Sequence, residues 1–394
     1  MKPVSRFRAT LSYGLVQATL WSFFAIWINF SSNFLYRYGF SDGQISLMLG
    51  SVTALSIVVQ LALAELVSSS KKLRMHHVML CSGGVMLLCA LGTILLKNLP
   101  VAAVGCFGVS CMLLQTFPAM ANSLGVDAME RGAPVIFGLA RGCGSLFYSM
   151  TAFCTGLLVG SFSSGVLGFL GAAAALLFLC SVALFHRLGE RGLQERVQRA
   201  GENTGKDNGF LRKYPRFAFF LLGSILLCYS QNLMSNFLMQ VMMAKGGDAA
   251  DQGVAAAISA VVEIPVMFSF VLIRRWMRCD KWVRLSCFFF VVKALGMYLA
   301  TTPEGVWAAQ VTQMLAWGLF NISTINYAAE VVGKGEAVRA QSYLASTLTV
   351  GSLIAMSTGG MMCQFFGVQT MLLLAALIAA LGTIVVLLSA QKTR

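Results

Sequence analysis

Residues 187–216 read RLGERGLQERVQRAGENTGKDNGFLRKYPR, a charged and glycine-containing stretch between two long hydrophobic regions. Hydrophobic residues make up 57% of the 394-residue chain and charged residues only 11%, whereas a soluble domain carries about 25% charged residues. The mean hydropathy is +0.76. These values predict an integral membrane protein that the charged stretch divides into two halves.

The hydrophobic regions divide into segments of about 20 residues or more, the length at which an α-helix spans a bilayer. Six such segments precede the charged stretch and six follow it. A membrane β-barrel would show short alternating strands instead of these unbroken apolar runs. The sequence therefore predicts an all-α membrane protein with six-helix bundles at 1–186 and 216–394, joined by a basic cytoplasmic linker at 187–215. The predicted segments are 13–36, 43–68, 75–96, 100–122, 136–160, 163–186, 216–244, 251–273, 283–301, 305–330, 338–364 and 367–390.

The distribution of basic residues predicts the orientation of these segments. The net charge is +14, with 29 Lys and Arg against 15 Asp and Glu. With the N-terminus inside, all but five of the basic residues fall on the cytoplasmic side; Arg37, Lys97 and Lys245 fall opposite, and Arg141 and Lys293 lie within segments. The positive-inside rule then places both termini in the cytoplasm. Because the excess charge marks topology, we expect no nucleic-acid partner. We expect a multi-pass protein of the cell's inner (cytoplasmic) membrane that functions as a monomer.

Two charged residues of opposite halves lie in predicted membrane segments, Arg141 in the fifth and Glu263 in the eighth. A charge at membrane depth costs about 2.5 kcal/mol or more, so it is rarely kept without a partner or a function. Glu263 is about 15 Å from either end of its segment, too far for its side chain to reach water. It is either a structural residue hydrogen-bonded to its neighbours or a group that accepts substrate, carries a proton, or does both. Arg141 lies about one turn into its segment. Its guanidinium either reaches the interface or donates paired hydrogen bonds into a central cavity.

Other polar and aromatic side chains extend this candidate site. Tyr148, two turns after Arg141, either stacks on a ring-shaped substrate or packs in the core. Lys293 is the natural counter-charge for Glu263 or for another polar group of the second bundle, or it has released its proton on desolvation and is uncharged. Amides facing lipid would be costly, so the amides of the segments either bridge helices or bind substrate. The amide candidates are Asn29, Asn33, Gln231, Asn232 and Asn321.

Motifs for enzymatic chemistry do not occur in the sequence. There is no G-x-x-x-x-G-K-[ST] loop for nucleotide phosphates, no pair of catalytic carboxylates and no nucleophile motif. The 11 cysteines form no C-x-x-C pair and have no histidine at ligand spacing. We therefore expect neither an enzyme nor a cofactor or metal site, and direct drive by ATP is unsupported.

Several short motifs resemble the oligosaccharide–proton symporter branch of the major facilitator superfamily, which includes lactose permease, and nucleoside–proton symporters. They are PAMANSLGVDAMERGAPVIFGLARGCGSLFYS at 118–149, VVEIPVMF at 261–268 and EAVRAQSY at 336–343. The resemblance places Arg141 on the family's sugar-binding arginine and Tyr148 on the aromatic that stacks against the sugar. It places Glu263 on a sugar-contacting glutamate and Lys293 on a membrane-embedded arginine tied to proton translocation.

The chain departs from that branch at its other embedded charges. Ala316 and Leu319 stand in place of a histidine and a glutamate of helix ten, and Gln231 and Met234 in place of two aspartates of helix seven. Asn122 stands where the family has an acid in helix four. The galactoside specificity and the proton relay of lactose permease are therefore not expected here.

The resemblance implies a secondary transporter that works by alternating access of two bundles. The expected cargo is a sugar, a nucleoside or a similarly hydroxylated solute, and the expected driving force is a proton gradient. Arg141, Tyr148 and Asn122 would bind the solute, and Glu263 would both bind it and carry the proton, with Lys293 tuning this acid. The alternatives are a drug or metabolite exporter of the same superfamily and a membrane sensor that has kept the fold without transporting.

Overall fold

A computed structural model describes residues 6–69, 73–188, 209–333 and 336–393. Every regular element within these ranges is a helix, which confirms the predicted all-α class. Eleven of the described helices are long and apolar enough to cross a membrane. Most of the 187–215 linker lies outside the described residues.

The first of two compact units comprises Met1–Phe40 and Ser51–Thr204. Helix α1 packs against α6 and α7, and α4 packs against α5 and α7. Trp27 at the end of α1 lies 5.1 Å from Phe107 of α5, measured between ring centroids, within an aromatic core. Its helices are α1 Arg6–Trp27, α2 Ser31–Tyr36, α3 Asp42–Ser69, α4 Met75–Leu95, α5 Pro100–Glu130, α6 Phe137–Phe162 and α7 Val166–Leu188, of which the first turns of α3 belong to the second unit.

The second unit comprises Ser41–Gly50 and Gly205–Arg394. Helix α9 packs against α15 and α16, and α12 packs against α14 and α16. An apolar cluster from α11, α12 and α14 is centred on Phe270, Trp282 and Leu319. The helices are α8 Phe210–Lys213, α9 Pro215–Asn236, α10 Leu238–Ala244, α11 Ala249–Ile273, α12 Cys279–Leu299, α13 Pro303–Val311, α14 Trp317–Val331, α15 Ala337–Phe366 and α16 Val368–Ser389.

The tenth predicted segment, 305–330, is not one continuous helix. Helix α13 ends at Val311, a 3-10 turn covers Thr312–Met314, and α14 begins at Trp317. Ala316 leaves the helical region with a ψ of −89°. Apolar composition conceals such a break, because it records length and burial and not backbone hydrogen bonding. Tight turns of this kind inside helices often mark functional hinges.

The first and seventh predicted segments are interrupted in the same manner. Residues 28–30 separate α1 from α2, and Phe237 separates α9 from α10. Asn29 lies in the first of these interruptions, and Asn33 is buried in the short α2. Both amides are therefore placed beyond the end of α1.

Candidate functional site

Arg141 of the first unit is a half-buried residue of α6 whose side chain lies against α1. Its guanidinium carbon is 4.3 Å from the centroid of the Trp21 ring. Arg141 Nη1 donates to Ser145 Oγ at 3.4 Å. A cation over an indole face is attracted by the ring quadrupole, so Trp21 fixes the guanidinium in the interior of the unit.

A glycine of α6 makes this stacking possible. A Cβ at Gly144 would lie 2.5 Å from Trp21 Cδ1, a distance that real Cβ atoms essentially never show. The absence of a side chain at position 144 allows the indole to approach the backbone of α6, one turn from Arg141. Any larger residue would displace Trp21 and with it the aromatic surface under the guanidinium.

A chain of hydrogen bonds continues from Trp21 along α1. Trp21 Nε1 donates to Gln17 Oε1 at 3.1 Å, and Gln17 Nε2 donates to the Tyr13 hydroxyl at 2.8 Å. The Tyr13 hydroxyl donates to the Ala121 carbonyl of α5 at 3.0 Å. Gln17 Nε2 also lies 3.4 Å from Asn122 Oδ1. Asn122 thus joins the surroundings of Arg141 through Gln17.

The sequence prediction missed Trp21, Gln17 and Tyr13. They recur every four residues, at 13, 17 and 21, the spacing that places side chains on one face of a helix. Tyr148 contacts the same indole edge-on, with ring centroids 6.5 Å apart. Trp21 therefore contacts both predicted residues, Arg141 and Tyr148, and the structure brings those two to one place in the first unit.

Lys293 of the second unit lies in the middle of α12 and is completely buried. Its Nζ donates to Gln231 Oε1 of α9 at 3.1 Å and, at short range, to Gln313 Oε1 in the 3-10 turn. Gln231 Nε2 in turn donates to Gln313 Oε1 at 3.2 Å. A buried ammonium is costly unless hydrogen bonds replace its hydration, and the two amide oxygens take up that role here.

Gln313 connects Lys293 to Glu263. Its Nε2 donates to Glu263 Oε1 of α11 at 2.8 Å. A Cβ at Gly318 would lie 3.3 Å from Glu263 Cγ, so α14 approaches the glutamate closely just after the break. The predicted acid and its predicted counter-charge are thus brought together in one unit, with a glutamine between them.

The two remaining amide candidates of the second unit differ in their surroundings. Asn232 Nδ2 donates to the Cys228 carbonyl of its own helix at 2.8 Å, and its Oδ1 accepts from Asn236 at 3.3 Å. Both ends of the Asn232 side chain are therefore occupied within α9. Asn321 instead lines a cavity of about 170 Å³ between α14 and α15.

That cavity is lined mostly by apolar and aromatic side chains, with several polar groups among them. It does not include Gln231 or Lys293. The lining residues are Trp317, Phe320, Asn321, Thr324, Ile325, Gln341, Leu344, Ala345, Thr347 and Leu348. Among the residues that the structure describes, no group of three His, Cys, Asp or Glu side chains could hold a metal ion.

A helical protein with many apolar spans, and with a buried lysine linked to a glutamate by hydrogen bonds inside one bundle, belongs to the class of multi-pass membrane proteins. Comparison with known families makes this class specific. The chain belongs to the MFS_1 like family, whose model matches residues 16–374, and it is therefore a transporter rather than an enzyme. The predicted relation to the major facilitator superfamily is confirmed.

Solved structures show the same fold. The chain is 15% identical to the nucleoside transporter NupG, covering 97% of this chain and 98% of that one, with a TM-score of 0.79. A mutant of NupG matches at 14% identity over 97% of this chain and 100% of its own, again with a TM-score of 0.79. No curated protein sequence matches the chain.

Proposed function

We propose that this chain is a proton-coupled symporter of a small hydroxylated solute, with nucleosides as the first candidates and sugars as the second. Its setting would be the inner (cytoplasmic) membrane, with the tenth segment crossing as the broken pair α13 and α14, twelve spans in all, and both termini in the cytoplasm. The similarly folded NupG is a nucleoside transporter, which supports nucleosides as the cargo. The positive-inside distribution supports the orientation.

The observation that carries the proposal is the hydrogen-bonded series Glu263–Gln313–Lys293. When Glu263 is ionised, it accepts a hydrogen bond from Gln313 and balances the buried ammonium through this amide. When Glu263 is protonated, its carboxyl can donate a hydrogen bond to a solute hydroxyl. Solute binding then favours proton binding, and by thermodynamic linkage proton binding favours solute binding to the same extent.

The first unit supplies a second set of groups suited to a hydroxylated ring. The planar guanidinium of Arg141 offers several donors in a fixed geometry, and the Trp21 and Tyr148 rings offer apolar faces beside it. Asn122 extends this set through its contact with Gln17.

Uptake by proteoliposomes tests this function. An inside-alkaline pH gradient should drive accumulation of labelled uridine, or of a methyl glycoside, above the external concentration. Glu263→Gln should abolish accumulation while exchange of internal for external solute persists, because exchange needs no net proton movement. Glu304→Gln removes an exposed acid at the start of α13 and serves as the matched control, with accumulation unchanged.

Two results would contradict the proposal. Accumulation by Glu263→Gln at the wild-type level would exclude Glu263 as the coupling acid. Failure of the wild-type protein to move any hydroxylated solute under a proton gradient would exclude the proposed transport activity itself, and outward movement alone would favour an exporter.

A further inference from the structure

Three side chains that can form hydrogen bonds line the cavity between α14 and α15. They are Trp317, Asn321 and Gln341, and neither the indole N–H nor the two amides make a hydrogen bond within the part of the chain that the structure describes. Thr324 and Thr347, which also line the cavity, are by contrast bonded to carbonyls of their own helices. Trp317 and Asn321 are half-buried, and Gln341, in the first turns of α15, is exposed. All three are therefore accessible to a ligand, and covering them would be costly unless the ligand supplied hydrogen bonds.

The remaining wall of the cavity is apolar. Phe320 is buried and stacks on Trp317, with ring centroids 6.5 Å apart and an interplanar angle of 25°. Leu344 and Leu348 of α15 complete the apolar side. A volume of about 170 Å³ suffices for a single ring, since an engineered cavity of about 150 Å³ binds benzene.

The chemistry of the lining selects among ring-shaped ligands. A carbohydrate ring carries hydroxyls around its whole edge, and an apolar wall would leave most of them unpaired at a cost of about 1–3 kcal/mol each. A planar heterocycle has apolar faces and concentrates its polar atoms on its edge. Each primary amide offers one donor group and one acceptor, which complements a ring edge that carries C=O next to N–H.

We propose that this cavity binds the planar, amide-edged heterocycle of the transported solute, with Asn321 and Gln341 paired to that edge and Trp317 supplying an aromatic wall and an indole N–H. This deepens the proposed function and rests on it, because it specifies which part of the solute the second unit recognises. The ligand class is a nucleobase-type heterocycle, and a simple sugar lacks the recognised part.

The position of the cavity suggests how its occupant affects the coupling acid. Trp317 is the first residue of α14 and precedes Gly318, the residue against which Glu263 packs. Gln313 lies in the 3-10 turn just before. A ring against Trp317 therefore lies one residue from the glycine that contacts Glu263, so occupancy of the cavity and the Glu263–Gln313 bond involve the same helix end.

Binding to the purified full-length protein tests the inference. The probe is radiolabelled uridine, with 3-methyluridine, ribose and a methyl glycoside as competitors. Methylation at N3 removes the N–H of the amide edge and should weaken competition at least tenfold, and ribose and the glycoside should compete at least tenfold more weakly than uridine. Asn321→Leu and Gln341→Leu should each weaken uridine binding about tenfold, the effect of a lost hydrogen bond of about 1.4 kcal/mol.

A matched control is available on the same helix. The amide of Asn326 is already bonded to the Ile322 carbonyl at 2.8 Å and accepts from Arg274 at 3.4 Å, so Asn326→Leu should leave uridine affinity unchanged. Equal competition by uridine and 3-methyluridine would overturn the inference, and this comparison needs only wild-type protein. Equal competition by ribose or the glycoside would also overturn it, while leaving proton-driven uptake of a hydroxylated solute intact. Absence of proton-driven uptake of any hydroxylated solute by the wild-type protein would instead refute the proposed function.

Discussion

Gln313→Leu should destabilise the protein strongly, because one amide bonds both the buried Lys293 and the half-buried Glu263. The substitution removes a hydrogen bond to the Lys293 ammonium and one to the Glu263 carboxylate. Hydrogen bonds to charged groups contribute about 1.5–3 kcal/mol each, so the free energy of unfolding should fall by roughly 3–6 kcal/mol. Because Glu263 is only half-buried, the hydrogen bond to its carboxylate should contribute near the lower end of the per-bond range, about 1.5 kcal/mol.

A neighbouring glutamine provides the control for this prediction. Gln310 of α13 is 2% exposed and Gln313 is 4% exposed, but Gln310 Oε1 has no hydrogen-bond partner among the described residues. Replacing Gln310 with leucine removes an unsatisfied buried oxygen, which is neutral or stabilising. Two similar glutamine-to-leucine substitutions, three residues apart, should therefore differ clearly in effect.

Thermal unfolding in detergent measures the difference. For a folding unit of about 150–250 residues, 1 kcal/mol corresponds to about 2–4 °C in Tm. Gln313→Leu should lower the Tm by roughly 6 °C or more, and Gln310→Leu should leave it within roughly 2 °C of wild type or raise it. Equal melting of the two variants would refute the hydrogen-bonded series as a structural and functional unit.

Two further predictions concern other parts of the chain. Gly144→Ala should displace Trp21 from α6 and weaken solute binding at least as much as Arg141→Ala, as measured by labelled-solute binding; unchanged affinity would contradict a role for the Trp21 platform. The Tyr214 hydroxyl and then Lys213 hold the pKa of Glu336 below its usual 4.5, and Glu336 raises the pKa of Lys213 above 10.5. The contact of Glu336 with Tyr214 and Lys213 therefore contributes its full share of folding stability between about pH 4.5 and 10.5, and this stabilisation is lost as the pH falls through the lowered pKa of Glu336. Glu336→Gln should have a lower Tm than wild type at pH 7, and the two Tm values should converge well below pH 4.5.

The charged residues of the candidate sites could be predicted because they contrast with their surroundings. Arg141, Glu263 and Lys293 stand out in apolar runs. Because a charge in lipid is energetically costly, each of them is expected to have a partner or a function. The all-α class follows from the same apolar runs. Both predictions need only the composition of a stretch about one membrane span long, and that composition can be read from a single sequence.

The groups that connect those charges could not be predicted in this way. Gln313 is neutral and lies in a segment that reads as a continuous apolar helix, and its role depends on the 3-10 turn that directs it toward Lys293. Trp21 and Gln17 resemble ordinary residues of an amphipathic helix until α6 packs beside them. The α14–α15 cavity arises from the packing of two helices, which no local pattern encodes.

The most direct test of the central claim is whether solute entry moves protons through Glu263. Proteoliposomes containing a pH-sensitive dye, with no imposed pH gradient, would receive external uridine or another transported solute. The account predicts that the lumen acidifies with wild-type protein, and that Glu263→Gln admits solute down its gradient without acidification. Acidification by Glu263→Gln equal to that of the wild type would contradict the assignment of the coupling proton to Glu263.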